Sequence, residues 1–291
     1  MQFSTYFLFN YLVNLQSFFN KINLDNMNSH EIDFQIFGEE MQYVEIELDP
    51  YETVIAEAGS FMMMDSEIKM ATIFGDGSHQ ESKGGIWDKV LTAGKRLLTG
   101  ESLFLTAFTH GGTGKKRVSF ASPYPGKIIP LDLSKFEGKI VCQKDAFLCA
   151  AKGVHVGIEF SQKLGRGLFG GEGFIMQKLE GDGMAFVHAG GHVTKKELAL
   201  GEALLVDTGC LVALTRDVHY DSEMVKGIRN IFFGGEGLFY ARLEGPGTVW
   251  IQTLPFSRLA QRIFSAAPQT GGGGKDEGSI LGGLGNLLDG R

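Results

Sequence analysis

Apolar residues in this chain come in short, strand-length runs separated by Gly, Asp and Asn, not at the three-and-four spacing of an amphipathic helix. Residues 53–56 lead through Glu57, Ala58 and Gly59 to 60–63; 139–142 lead through Gln143, Lys144 and Asp145 to 146–149; 203–206 lead through Asp207, Thr208 and Gly209 to 210–213. The third turn residue is Gly, Asp or Gly, types that tolerate the left-handed conformation of a three-residue hairpin with a bulge. Three hairpins are predicted there. Three more are predicted where 105–109 meets 118–121 through Gly111, Gly112 and Gly114, where 174–179 meets 184–188 through Gly181, Asp182 and Gly183, and where 238–243 meets 248–252 through Gly245, Pro246 and Gly247.

These elements recur. Phe169-Gly170-Gly171-Glu172-Gly173 returns as Phe233-Gly234-Gly235-Glu236-Gly237, an offset of 233 − 169 = 64. At the same offset Leu179-Glu180-Gly181 matches Leu243-Glu244-Gly245, Gly183 matches Gly247 and Phe147 matches Leu211. A looser earlier copy has Gly100-Glu101-Ser102-Leu103-Phe104 in the same place. One unit therefore reads as hairpin, connector, Gly-Glu element, hairpin, used three times and closing around a shared axis. The expected units are about 28–125, 126–192 and 193–268. The first connector, 84–98, carries Ile86, Val90, Leu91, Leu97 and Leu98 and predicts one short helix; 158–169 and 224–233 are its shorter equivalents.

The two ends differ from this pattern. Residues 1–26 hold Phe3, Phe7, Phe9, Phe18 and Phe19, with no Lys or Arg before Lys21, and Asn10 and Asn14 break the apolar run. That is a poor secretory signal and a poor membrane span. The regular sequence begins at Met27, so the expectation is a start assigned too far upstream, with a weak amphipathic anchor as the alternative. Residues 269–291 open on Gly271-Gly272-Gly273-Gly274 and carry Leu281, Leu284, Leu287 and Leu288 among glycines, which predicts a flexible, sticky tail.

Composition adds three constraints. The 41 glycines fit repeated turns and close corners. A net charge of −7 opposes the large phosphate-neutralising surface of a nucleic-acid binder, and Lys115, Lys116 and Arg117 read as a short exposed turn. Three cysteines, Cys142, Cys149 and Cys210, lie in apolar runs without C-x-x-C spacing, so buried thiols in a reducing compartment are expected.

The stretch from His30 (HEIDFQIFGEEMQYVEIELDPYETVIAEAGSFMMMD), LLTGESLFLTAFT from Leu97 and the two FGGEG copies resemble the AIM24 family, formerly the domain-of-unknown-function group DUF124, over about residues 28–268. The resemblance implies an all-β fold of three pseudo-symmetric double-stranded β-helix-like units, similar to the tryptophan-attenuation protein. It also implies a link, through a yeast mitochondrial member, to inner-membrane organisation. It supplies no catalytic residues to carry over. The tryptophan and RNA binding of the attenuation protein do not transfer, because fold alone does not carry function.

Several residues invite a chemical reading. Asp207-Thr208-Gly209 has the aspartic-protease triplet, but that chemistry needs two carboxylates sharing a proton and the chain has one such triplet; a turn is expected. His188 and His192 have ligand-like spacing, yet Gly190 and Gly191 between them favour a turn over a metal site. His155 and His219 are 64 apart, with Lys69 at the corresponding place in the first unit; alternation puts all three on a polar strand face, or in a basic ring near the repeat axis. Glu101, Glu172 and Glu236 recur once per unit, preceded by Arg96, Arg166 and Arg229; they read as Arg-paired corners, or as a carboxylate cluster holding a cation. Phe61, Met62, Met63 and Met64 are more apolar than their counterparts and mark a core strand or a partner-binding patch.

The expectation is a non-catalytic cytoplasmic scaffold without a cofactor, a homo-oligomer with peripheral membrane contact and no nucleic-acid partner. The alternative is a small-ligand or ion-binding β-module using the repeated Glu or His/Lys positions.

Overall fold

A computed structural model describes residues 29–74, 104–162, 174–224 and 239–266. In chain order the strands are β1 (Asp33–Phe37), β2 (Tyr43–Leu48), β3 (Thr53–Glu57), β4 (Phe61–Met64), β5 (Ile68–Phe74), β6 (Phe104–His110), β7 (Lys116–Ala121), β8 (Gly126–Asp132), β9 (Lys139–Gln143), β10 (Phe147–Ala151), β11 (His155–Gln162), β12 (Phe174–Glu180), β13 (Met184–Gly190), β14 (Val193–Leu198), β15 (Ala203–Asp207), β16 (Leu211–Thr215), β17 (His219–Met224), β18 (Phe239–Glu244) and β19 (Gly247–Gln252). Helix α1 (Phe256–Ala266) follows. All strands belong to one compact unit that ends at Ser257; the described residues from Arg258 onward belong to another.

The fold is mostly β, in four antiparallel sheets. The first is β1-β2-β7-β4, the second β5-β6-β3-β10-β13-β8, the third β11-β12-β9-β16-β19-β14 and the fourth β15-β18-β17. Strand patterning shows which faces are covered. In β2, Val44, Ile46 and Leu48 are buried while Tyr43, Glu45 and Glu47 are half-exposed, the period of two expected of a strand with one wet face. β10 is buried at every position, and its Cys149, Ala150 and Ala151 are small enough for layers to approach on both sides. Three apolar clusters fill the spaces between sheets. One contains Ile46, Phe108, Phe120 and Phe186, another Leu133, Ile140, Val187 and Trp250, and a third Phe174, Leu211, Leu243 and Val249.

The strands fall where the sequence predicts them, but none of the six predicted hairpins forms. β3 and β4 lie in different sheets, as do β9 and β10, β15 and β16, β6 and β7, β12 and β13, and β18 and β19. The turn chemistry is real, but it makes corners. Between β9 and β10 and between β15 and β16 the chain takes one turn of 3-10 helix, which advances it into the next sheet instead of folding it back. Strands on either side of the longer connectors pair instead: β5 with β6, β11 with β12, β17 with β18.

Two further expectations meet the structure differently. The helix predicted in the first connector lies outside the described residues. α1 occupies a stretch read as part of the third β unit.

One corner glycine is fixed by geometry. Gly247 has φ +143°, and a Cβ there would stand 2.5 Å from Thr215 Oγ1 and 2.6 Å from Val218 Cγ2. Gly247→Ala is therefore expected to cost about 1–3 kcal/mol in a denaturant melt. Gly59→Ala, at φ +95° with open space around it, should cost less, which separates the clash from the dihedral.

Candidate functional site

His155 stands directly opposite Glu180 across β11 and β12, and His219 directly opposite Glu244 across β17 and β18. His155 Nδ1 is 3.9 Å from Glu180 Oε2. Glu180 also takes Lys178 at 2.8 Å and Lys139 at 3.8 Å. The Lys178 hydrogen bond, with weaker help from Lys139 and His155, holds the Glu180 carboxyl below the usual range. Glu244 pairs with Arg242, which lowers its carboxyl likewise, and His219 contributes less. Lys69 faces Thr109 across β5 and β6. His155, His219 and Lys69 thus sit on edge strands of three different sheets. Strand pairing does not bring them together; each is one half of a cross-strand pair. Glu101, Glu172 and Glu236, with their arginines, lie outside the described residues.

A cavity of about 300 Å³ opens between β9, β11, β16 and β17. Val141, Leu214 and Val218 line it, Phe160 and Tyr220 stand together with ring centroids 4.8 Å apart, and Glu159, Arg216 and His219 add polar groups. Glu159 is held by Lys139 at 3.0 Å, and Arg216 lies 3.7 Å from Glu137.

The Asp-Thr-Gly triplet is a cap. The Asp207 carboxylate accepts a hydrogen bond from Gly209 N at 2.9 Å, and Thr208 is buried. His188 and His192 point to different surroundings, one buried and one exposed. His188 Nε2 donates to the Tyr124 carbonyl at 3.1 Å, and its ring meets the Tyr124 ring edge-on at 4.4 Å. Burial pushes His188 down to about 4. Among the described residues its Nδ1 has no hydrogen-bond partner.

Sequence reading missed a second titratable group whose pKa is shifted by burial. Glu57, at the end of β3, is pushed up to about 7 by burial, then by the charge of Asp145, against the opposing effect of Lys144. No motif marks it. It becomes unusual because the fold covers it and brings Asp145, at the corner between β9 and β10, near enough to repel its charge.

Apart from Phe34 in β1 and Met70 in β5, which are 38 % and 49 % exposed, the large exposed apolar side chains of the strands lie on two edge strands. In β4, Phe61, Met62 and Met63 are 39 %, 48 % and 43 % exposed, and in β15 Leu205 is 61 % exposed. Among the described residues neither strand has a neighbour on its outer side. The Phe-Met patch singled out in the sequence is thus an open edge, with Phe61 stacked on Phe108 at 5.4 Å.

Comparison with known proteins places this architecture. A family model described as "Mitochondrial biogenesis AIM24" matches residues 34–254. An uncharacterized protein, M6_Spy0233, of Streptococcus pyogenes serotype M6 is 29 % identical over 228 residues, covering 77 % of this chain and 86 % of that protein. The crystal structure of SPYM3_0169 from Streptococcus pyogenes superposes with a TM-score of 0.63 at 23 % identity, covering 81 % of this chain and all of that one, a likeness of fold.

Proposed function

The chain belongs to the AIM24 family, and we propose that it works as a non-catalytic β scaffold assembling copies of itself edge to edge. On this reading β2–β7, β8–β13 and β14–β19 are three copies of one six-stranded unit, each a double-stranded β-helix-like module. The pairing supports it. In each block the first strand lies against the sixth and the sixth against the third, while the fourth lies against the fifth and the fifth against the second. A turn detail agrees: Glu52 accepts from Asp49 N at 2.8 Å, and Glu202 from Ala199 N at 2.9 Å, each just after the first strand of its block.

Neighbouring blocks are joined by one rule, the second strand of one to the third strand of the next. β3 pairs with β10, and β9 pairs with β16. The rule leaves over β4 in the first block and β15 in the last. Their counterparts β10 and β3 are buried almost throughout, whereas β4 and β15 expose Met63 and Leu205. That contrast carries the proposal: two apolar edges of complementary type, each displaying side chains that the same positions elsewhere bury.

The internal registers predict the intermolecular one. Cys149 faces Ala56, and Ala213 faces Cys142. By the repeat, Met63 of one chain faces Val206 of the next, and Met64 faces Leu205. Such a head-to-tail contact closes into a ring or extends as a filament.

Light scattering tests it. The wild type is expected at multiples of 31.8 kDa, and the double variant Met63→Lys/Leu205→Lys at the single-chain mass, because a charge on a pairing edge blocks strand addition. A wild type that runs as single chains at micromolar concentration overturns the reading.

The cavity beside His219 favours a second reading, a small-ligand module. It predicts a thermal shift with a specific anion or metabolite that His219→Ala abolishes; a flat response across a screen removes it.

A further inference from the structure

We propose that α1 is a membrane foot, a surface-lying helix that rests the protein on anionic lipid. Phe256, Leu259, Ala260, Ile263 and Phe264 recur at spacings of three and one, which puts them on one face of the helix. The opposite face carries Ser257, Arg258, Gln261, Arg262 and Ser265. No residue of α1 is buried, and Ile263 and Phe264 are 63 % and 81 % exposed. The first residue is anchored: the Phe256 ring packs on Tyr124 at 5.3 Å. The eleven residues of α1 reach about 17 Å, roughly half a bilayer's hydrocarbon thickness. Among the described residues no helix is long and apolar enough to cross a membrane.

Charge selects the occupant. α1 carries two arginines and no acid, in a chain whose net charge is −7. An apolar face unbroken by any hydrogen-bonding side chain, backed by cations and small neutral groups, is the arrangement that settles between headgroups and acyl chains. Two arginines near an anionic surface favour it by roughly thirtyfold over a zwitterionic one. Four large side chains make a weak anchor for a single helix. The edge-to-edge assembly proposed above would strengthen the foot without being required for it, because each copy adds one helix to the same surface.

Co-sedimentation of the full chain with phosphatidylcholine vesicles, with and without phosphatidylglycerol, tests the proposal. The wild type is expected to pellet with the anionic vesicles and to be released by salt. Arg258→Gln/Arg262→Gln should weaken that binding roughly thirtyfold, to the level seen on phosphatidylcholine alone. Ile263→Asp/Phe264→Asp should abolish it while leaving the melting temperature of the lipid-free protein unchanged. Three results overturn it: a wild type that stays in the supernatant, equal pelleting on both vesicle types that ignores the arginine changes, or a lower lipid-free melting temperature for the Ile263/Phe264 variant, which would place that face against protein. The edge variant Met63→Lys/Leu205→Lys separates the two readings. If it runs as single chains and pellets less, both stand. If the wild type is already single chains yet pellets with anionic lipid, the foot stands and the assembly falls.

Discussion

Phe186→Ala is expected to lower the unfolding free energy by about 3–5 kcal/mol, on the order of 10 °C in Tm. Phe186 lies in β13, fully buried, and the ring of Phe34 meets it edge-on at 4.8 Å and 76°. β13 is hydrogen-bonded on both sides, to β10 and β8, so neighbouring backbone has little freedom to collapse into the space left. Both the lost apolar contact and the residual cavity therefore count. Phe264→Ala is the control: with its side chain 81 % exposed in α1, it should change lipid-free stability by no more than about 0.5 kcal/mol. A loss at Phe186 as small as at Phe264 would contradict the packing described for the second sheet.

Acidification should reveal two groups, both shifted by burial, that act in opposite directions. His188 has a folded pKa of about 4 against 6.5 unfolded. Below pH 6.5 the unfolded chain takes up a proton that the folded chain refuses. Its contribution is complete above pH 6.5 and is lost as pH falls toward 4, on the order of 3 kcal/mol. His30, also lowered by burial, adds to the loss. Glu57 has a folded pKa of about 7 against 4.5 unfolded. Above pH 4.5 the unfolded chain releases a proton that the folded chain retains, so stability falls as pH rises from 4.5 through 7. Because Glu57 is half-exposed, its share is discounted to about 1–2 kcal/mol. The wild-type profile between pH 4.5 and 7 is thus flatter than His188 alone would give. Glu57→Gln should steepen the acid loss. His188→Gln should reduce or reverse it, and it places there the residue found at Gln252, 64 positions on, which bonds Gly190 N and Gly209 O at 2.7 and 2.9 Å. Chemical denaturation of the two single variants and the double variant at pH 4.5, 5.5 and 7 checks the signs; parallel profiles for all three would refute the assignment.

The positions of strands were legible in the sequence because period-two alternation and Gly-rich turns are local signals. Their partners were not. Asp207-Thr208-Gly209 suits a tight reversal, but the Asp207 cap on Gly209 N serves a forward-stepping corner equally well, and only the neighbouring sheet distinguishes them. The sequence marks α1 as well: apolar residues at 256, 259, 260, 263 and 264 follow Pro255 directly, a helix start with its apolar face already set out. For the candidate positions, the 64-residue offset between His155 and His219 was visible, and so was that between Glu180 and Glu244. That each His stands opposite its Glu needed strand register. The spacing of His188 to His192 marked it only for metal binding, and Glu57 carried no mark; the pKa shift of each comes from what packs over it.

The two six-stranded sheets are each woven from distant parts of the chain: β3 waits for β10, and β8 for β13, which ends at Gly190. During synthesis β3, β5 and β6, half of the second sheet, are therefore complete by His110 while β8, β10 and β13 are still to come, and pairings this far apart in sequence form slowly. Excising any one third should yield an aggregating fragment and not a miniature of the whole, so this protein is expected to tolerate truncation far worse than a string of self-contained modules would.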